Sequence, residues 1–479
     1  MRAIILAAGL GTRFKSDKPK VLHEILGKPI LWYVLTNVKN GRIEDVCVVV
    51  GHKAEEVMSI FKDESLRFFI QKNPKGGTAN AVLSAKDFFA LYDGYVLIIN
   101  GDSPLVSGET IRNMQQFIHM VQAYEGIKLS GVVLTAYLPD PTGYGRVIKE
   151  EGSDRILRIV EEKDASIEEK AIKEINAGTY IFYAPHLLEA LYSIKPSEVT
   201  GELYLTDVIK YMTDKGYEVR SFMVKEPYEA MGVNTRWDLA LVENLIKLKI
   251  VKFWTEKGIT VHFPETVWIE PDVNLEKDVE IFPDVILKGK TKVKKGAIIG
   301  KGSVIKDSVI EENVRIREYS IIENSEIKKG AVIGPFARVR NGSEIGELAE
   351  IGNFVEVKKS KVGKNTKAKH LSYIGDAAIE EDVNVGAGVV FANYDGRNKH
   401  TSYVGKNAFI GSNSLLIAPI KLGGFAYIAG GSVVNKDIPE ESLAVSRPEL
   451  KIIPKKGKKL LRPFKKSEEG EKESIEKEE

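Results

Sequence analysis

Cysteine is almost missing from this 479-residue chain: its single thiol, Cys47, sits inside the apolar run 46–50, where a buried and inert side chain is expected. One cysteine excludes a disulfide framework and a cysteine-based metal centre, and it suits a reducing cytoplasm. Long hydrophobic runs are missing as well. No stretch approaches the roughly twenty apolar residues of a bilayer span, so no membrane insertion is expected. The opening residues, Met1-Arg2-Ala3-Ile4-Ile5-Leu6, meet glycine too soon for a secretory leader. Nor is there an excess of charge. Sixty-nine Lys and Arg against 67 Asp and Glu leave +2, which gives no electrostatic case for a nucleic-acid partner.

What the chain does have is length for two domains and a six-residue rhythm. Val261, Val267, Val273, Val279 and Val285 are each followed two places on by Phe263, Ile269, Leu275, Ile281 and Leu287. The pattern returns as Ala331, Ala337, Ser343, Ala349 and Val355, with Ile333, Val339, Ile345, Ile351 and Val357, and again from Ala408 to Ser432. Six residues fit one short strand and a turn, the rung of a parallel β-helix whose inward aliphatics stack into a continuous column. The repeat breaks over 364–374, a segment that contains His370.

Residues 1–234 read differently. Apolar strands at 2–7, 46–50, 95–99, 129–136 and 179–182 alternate with helices at 30–38 and 79–89, which predicts a largely parallel sheet covered on both sides. Val242, Leu245, Ile246 and Phe253 at helical spacing predict a connecting helix within 235–258. The coil then occupies 259–454. A charged tail follows over 455–479, basic to 466 and acidic beyond, and is expected to be partly disordered. Its basic part either lies over an anionic cofactor or is simply solvated.

The first strand runs into Leu6-Ala7-Ala8-Gly9-Leu10-Gly11-Thr12-Arg13. Glycines there let backbone N–H groups approach a phosphate, although a plain turn has the same composition. Phe14 excludes a dinucleotide fingerprint, and no Gly-Lys-Ser/Thr is present for a Walker loop. Arg13 and Lys20 instead place fixed positive charge beside the loop, which suits nucleotidyl transfer with pyrophosphate leaving. Asn100-Gly101-Asp102 ends another strongly apolar strand, where an open α/β sheet binds ligands and where a carboxylate suits Mg2+. A turn-forming Gly-Asp is the plainer reading.

These segments, together with Lys18-Pro19-Lys20, Pro141-Thr142-Gly143-Tyr144-Gly145-Arg146, Val160-Glu161-Glu162-Lys163, Asn176-Ala177-Gly178 and Gly232-Val233-Asn234, resemble one motif set. It belongs to the bifunctional N-acetylglucosamine-1-phosphate uridylyltransferase / glucosamine-1-phosphate N-acetyltransferase family, and the match runs in order along nearly the whole chain. The resemblance implies a Rossmann-like nucleotidyltransferase domain followed by a left-handed parallel β-helix. It implies that Leu6, Ala7, Ala8 and Gly9 hold the nucleotide with Gln71, Gly77, Thr78, Asn100 and Gly101, and that Arg13 and Lys20 neutralise phosphates. Asp102 and Asn234 would hold Mg2+, while Gly145, Glu161 and Asn176 receive the sugar. Two departures stand out. The loop 71–78 is one residue longer than usual and lacks a second glutamine, and Asn100 replaces a common tyrosine.

In the coil, a histidine placed in a break of regular structure suits a general base, although a surface histidine reads the same from position alone. Around it, Gly334-Pro335-Phe336-Ala337-Arg338, Glu356-Val357-Lys358, Lys369-His370-Leu371, Asn384-Val385-Gly386-Ala387 and Asn393-Tyr394-Asp395-Gly396 are similar to the acetyltransferase motifs of the same family. That likeness implies a base in His370 oriented by Glu356, and a sugar-phosphate site of Arg338, Lys358, Tyr373 and Asn384. It implies an acetyl-CoA cleft lined by Ala387, Asn393, Tyr394, Ser412, Gly430 (a common alanine) and Arg447, formed between subunits of a homotrimer. The implied enzyme acetylates glucosamine 1-phosphate and then joins the product to UTP, giving UDP-N-acetylglucosamine for peptidoglycan and lipopolysaccharide synthesis. Two alternatives remain at this point: a nucleotidyltransferase for another sugar 1-phosphate with a purely structural coil, and a non-catalytic subunit. The joint presence of Arg13, Lys20, Asp102 and His370 speaks against the second.

Overall fold

The strands Arg2–Ala7, Asp45–Val50 and Tyr95–Asn100 are apolar almost without interruption, as strands buried on both faces are. Successive side chains alternate between the faces. Ala3, Ile5, Val48, Leu97 and Ile99 join one buried cluster; Ile4, Cys47, Val49, Val96 and Ile98 join the other. Helices Ile30–Asn40 and Gly108–Glu125 cover the first through Leu31, Val34, Ile111 and Met114. Helices Gly77–Ser84, Ala184–Ser193 and Asp207–Asp214 cover the second through Ala79, Val82, Leu187 and Val208.

The computed structural model describes residues 1–461 other than 63 and 199, and it divides into two compact units after Gly342. Most of the charged tail, from residue 462 on, lies outside the described residues. In the first unit the sheet runs Val219–Met223, Gly131–Tyr137, Glu174–Tyr183, Tyr95–Asn100, Arg2–Ala7, Asp45–Val50, Arg67–Ile70. Along this path only Glu174–Tyr183 is antiparallel to its neighbours. The helix expected over 79–89 is two helices, Gly77–Ser84 and Lys86–Phe89. At Ala85 the amide bonds back to Val82, three residues away, and both Phe88 and Phe89 turn into the core.

The connecting helix spans Arg236–Glu256. Thr235 and Asp238 form a reciprocal capping box, with Asp238 N–H to Thr235 Oγ1 at 3.1 Å and Thr235 N–H to Asp238 Oδ2 at 2.8 Å. Val242, Ile246, Val251 and Trp254 are buried, whereas Phe253, expected on the apolar stripe, is 48% exposed.

Beyond Thr260 the first unit continues as short parallel strands in three ladders. In one, Glu280 pairs with Ile298, Ile298 with Arg315 and Arg315 with Val332, each step being one full turn of the coil. The expected inward pairs Val267/Ile269, Val279/Ile281 and Val285/Leu287 are fully buried. Phe263 is not: it sits just past the strand Thr260–Val261 in a left-handed turn, φ +50, and is exposed. Asp284, Asp307, Asn313 and Asn324 turn corners in the left-handed region, which short polar side chains tolerate best. Ser303 and Ser308 sit at tighter corners, where their hydroxyls receive the amides of Ser320 and Ser325 from the next coil at 3.4 and 3.1 Å.

The second unit repeats this coil, and here the structure corrects the sequence reading. There is no break over 364–374. The strands Lys367–His370 and Tyr373–Gly375 pair in register with Glu350–Asn353 and Glu356–Lys358 of the preceding turn. Buried positions step by five rather than six from Val355 to Ser360 and from Ser372 to Ala377, which shifts the phase of the repeat while leaving the coil intact. The real excursion is the loop 393–401. Around it Asn384 pairs with Phe409 and Val390 with Leu415, so this turn of the coil is longer than the one before it.

Candidate functional site

Leu6 and Asn100 are register partners on adjacent parallel strands, so both strands end at one level and open a cleft there. The Gly101 amide donates to the Leu6 carbonyl at 2.8 Å, and the Val233 amide to the Asp102 carbonyl at 2.8 Å. These backbone bonds draw the first loop, Asp102 and the 232–234 turn into one place. Lys20 forms an ion pair with Asp102 and lies 3.4 Å from Asn234 Oδ1, to which Arg13 donates at 2.8 Å. The Asn234 amide is itself fixed by Asp238 Oδ2 at 3.0 Å. Two side-chain oxygens and two cationic side chains from distant parts of the sequence thus meet.

Two adjoining cavities of about 410 and 350 Å³ share Leu6, Thr78, Asn100, Asp102 and Glu161. Ala7, Ala8, Gly9, Lys20, Gln71 and Gly77 line the smaller; Arg13, Gly145, Asn176 and Asn234 line the larger. Every sequence-predicted residue of this site therefore faces the cleft except Gly101, whose role is the backbone bond to Leu6. Gln71 is 5% exposed, and its Nε2 donates to the Gly77 carbonyl and to Asn80 Oδ1, both at 3.1 Å. A carbonyl only accepts, so the amide orientation is determined and the Gln71 oxygen is left for the cavity. Gly77 has φ +85, and a Cβ there would come within 2.4 Å of the Leu203 carbonyl.

On the wall of the larger cavity, Asn176 Nδ2 donates to Tyr180 Oη at 2.6 Å across a bulge in the strand Glu174–Tyr183. Thr206 Oγ1 donates to Glu161 Oε1 at 3.0 Å. Burial pushes the Glu161 carboxyl above its ordinary pKa, and the Thr206 bond only partly opposes this. Tyr180 and Thr206 were not legible as site residues. The bulge that turns Tyr180 inward is a tertiary feature, and so is the long-range contact of Thr206 with Glu161.

The second unit spreads its candidate residues over more than one face, with His370 and Tyr394 exposed and Lys358 and Asn393 buried. His370 is exposed, with Nδ1 3.0 Å from Asn353 Oδ1. With that oxygen as acceptor Nδ1 carries the proton, and Nε2 is the basic nitrogen. On the next face Glu356 pairs with Tyr373, and Lys358 lies 3.4 Å from Asp376. Asp376 is 6% exposed and also accepts from Asn393 Nδ2 at 2.5 Å. Asn393 and the two lysines Lys358 and Lys359 hold its carboxyl below the usual range against the effect of burial. Lys399 is pushed below an ordinary lysine by Lys358 beside it. Ala387, Ser412 and Gly430 stack on successive coils through the bonds Asn413 N–H to Ala387 O and Gly431 N–H to Ser412 O, with Arg447 alongside. Tyr394, 60% exposed, sits on the 393–401 loop, where Asp395 accepts the amides of Asn398 and Arg397 and the His400 ring. Asn384 is on a different ladder from Tyr373, opposite Lys367, and the two are not brought together within the second unit. Arg338 belongs to the first unit, where it is exposed 3.4 Å from Glu323.

Among the described residues no helix is long and apolar enough to cross a membrane, and no three His, Cys, Asp or Glu side chains converge as a metal cluster. The nucleotidyl transferase family model matches residues 2–254, and a model of the GMPPB C-terminal domain matches 265–368. The bifunctional protein GlmU of Aquifex aeolicus is 79% identical over 461 residues, covering 96% of this chain and 99% of that protein. Its namesake in Hydrogenobaculum sp. is 53% identical, covering 96% and 99%, and that of Thermodesulfovibrio yellowstonii is 42% identical, covering 95% and 98%. With such identity over almost its full length, the chain belongs to the bifunctional GlmU family, the uridylyltransferase–acetyltransferases whose motifs both of its halves carry.

Proposed function

We propose that the cleft of the first unit transfers UMP from UTP to N-acetylglucosamine 1-phosphate, and that the exposed coil faces acetylate glucosamine 1-phosphate from acetyl-CoA. The observation that carries the first assignment is the convergence of Lys20 and Arg13 on the oxygens of Asp102 and Asn234 at the ends of two parallel strands. Those oxygens already accept from cationic groups, which is the donor chemistry a hard divalent ion uses. Asp102 and Asn234 would hold Mg2+, which when bound neutralises the triphosphate. Arg13 and Lys20 then face the charge that builds as the sugar phosphate oxygen attacks the α-phosphorus in line and pyrophosphate departs. No protein nucleophile is needed. The Gln71 oxygen accepts the N3–H of uracil, and Glu161 and Asn176 receive the sugar hydroxyls and acetamide.

In acetyl transfer, His370 Nε2 takes a proton from the sugar amine as that amine attacks the thioester carbonyl and the CoA thiol leaves. Lys358, Tyr373, Arg338 and Asn384 hold the sugar phosphate, and Ala387, Asn393, Tyr394, Ser412, Gly430 and Arg447 hold acetyl-CoA. These residues occupy more than one face of the coil. We infer that copies of the chain complete each site in a homotrimer, in the cytoplasm where both cosubstrates are made. A purely structural coil would have no use for an exposed imidazole held by Asn353, nor for a buried Lys–Asp–Asn junction. Incubating the purified protein with glucosamine 1-phosphate, acetyl-CoA, UTP and Mg2+, and omitting each in turn, tests the reading. UDP-N-acetylglucosamine should form only in the complete mixture, and N-acetylglucosamine 1-phosphate should accumulate without UTP. Product formed without acetyl-CoA would contradict it.

A further inference from the structure

The strands Arg146–Lys149 and Ile156–Val160 form an antiparallel pair whose last partners are Arg146 and Val160. Past that point the two chains diverge into the loops that carry Gly145 and Glu161 to the wall of the larger cavity. Arg146 is 1% exposed, and such a charge is costly to bury without a counter-ion. Its Nη1 donates to the Tyr144 carbonyl, and its Nη2 meets Glu162 Oε2 at 2.7 Å. The same Glu162 oxygen accepts the Gly143 amide at 3.2 Å. Gly143 has φ +88, and the turn around it is held by Asp140 Oδ1 on the Thr142 amide at 3.1 Å and hydroxyl at 2.6 Å. One carboxylate oxygen therefore cross-links both loops to a buried guanidinium.

We propose that Glu162 is a positioning residue for the sugar substrate: its carboxylate latches the 141–145 loop to the 161–164 loop and sets the spacing of Gly145 and Glu161. The inference rests on the assignment of this cleft to uridylyl transfer. Glu162 does not line either cavity, so it acts through the loops and not by contact. Its side chain is 31% exposed, so substitution opens no apolar cavity, although it strips the buried Arg146 of its counter-ion and should lower the melting temperature alongside the kinetic change.

The test is two-substrate kinetics of uridylyl transfer on full-length Glu162→Ala. Misplacing positioning loops by a fraction of an ångström weakens the substrate they hold, so the KM for N-acetylglucosamine 1-phosphate should rise about tenfold while that for UTP stays within about twofold. Glu162→Gln keeps an acceptor oxygen but loses the charge, and should give the same selective rise at about threefold. A merely structural role would move both KM values together or lower the folding temperature without either changing; either result overturns the latch, as does an unchanged sugar KM. Failure of the unaltered enzyme to turn over N-acetylglucosamine 1-phosphate would instead refute the assignment of the cleft.

Discussion

The two candidate sites differ in how much of each a single chain supplies. The nucleotidyl cleft is enclosed by strand ends and loops of the first unit, and nearly all its predicted residues line two joined cavities. The coil site is spread over two faces, with His370 on one ladder and Lys358 and Tyr373 on another. A doubly wound sheet makes a crevice wherever its strand order reverses, whereas a coil has only flat sides and corners. The first architecture builds a pocket within one chain. In the proposed trimer the second borrows a wall from a neighbouring copy.

The largest expected effects come from separating the two. Asp102→Ala should lower uridylyl transfer about a thousandfold and leave acetyl transfer unchanged, because it removes the carboxylate that faces Lys20 and that we propose as a Mg2+ ligand. His370→Ala should lower acetyl transfer about 10²–10⁴-fold, the usual worth of a general base, and spare uridylyl transfer. Separate assays of each half-reaction check both variants, and a folded protein that loses both activities breaks the comparison. A smaller effect is expected at Gly178, where φ is +69 and a Cβ would lie 2.5 Å from Asn100 Nδ2. Gly178→Ala should cost about 1–3 kcal/mol in denaturant melts of the first unit and raise uridylyl KM values, with acetyl transfer untouched.

The smallest effect concerns Glu161. Burial raises its folded pKa above the unfolded value, so the folded state binds the proton more tightly. Stability contributed by this group is present below the unfolded carboxylate pKa and fades as pH rises through the raised folded value. Glu161→Gln should therefore raise the melting temperature at neutral pH and flatten that pH dependence while increasing the sugar KM. A melting temperature that falls at pH 7 contradicts the sign.

The legibility of the two halves was also unequal. Strand ends at Leu6 and Asn100 could be read because apolar runs stop at glycine, and sheet physics makes such ends the ligand side. Asp102 could be read from its strand end, whereas Asn234 could be matched only as a motif, since the backbone bond from Val233 to Asp102 that joins them is tertiary. The coil's period was plain, but its phase was not. Five-residue corners at Ser360 and Ala377 imitate an interruption, while the true excursion at 393–401 carries Asn-Tyr-Asp-Gly turn residues that signal a loop without giving its length. Asp376 gave no sequence signal at all, because a turn aspartate and a buried junction for Lys358 and Asn393 look alike until the coils are stacked.

The most direct test of the borrowed wall is complementation between two inactive variants, His370→Ala and Lys358→Ala, whose lesions lie on different ladders. Each alone should lack acetyl transfer and retain uridylyl transfer. When the two are dissociated, mixed in equal amounts and reassembled, random pairing of faces should leave about one quarter of the shared sites intact, with acetyl transfer recovering in proportion. No recovery in mixed assemblies that retain full uridylyl activity would show that one chain supplies both His370 and Lys358 to the same site, contradicting a site shared between these two faces.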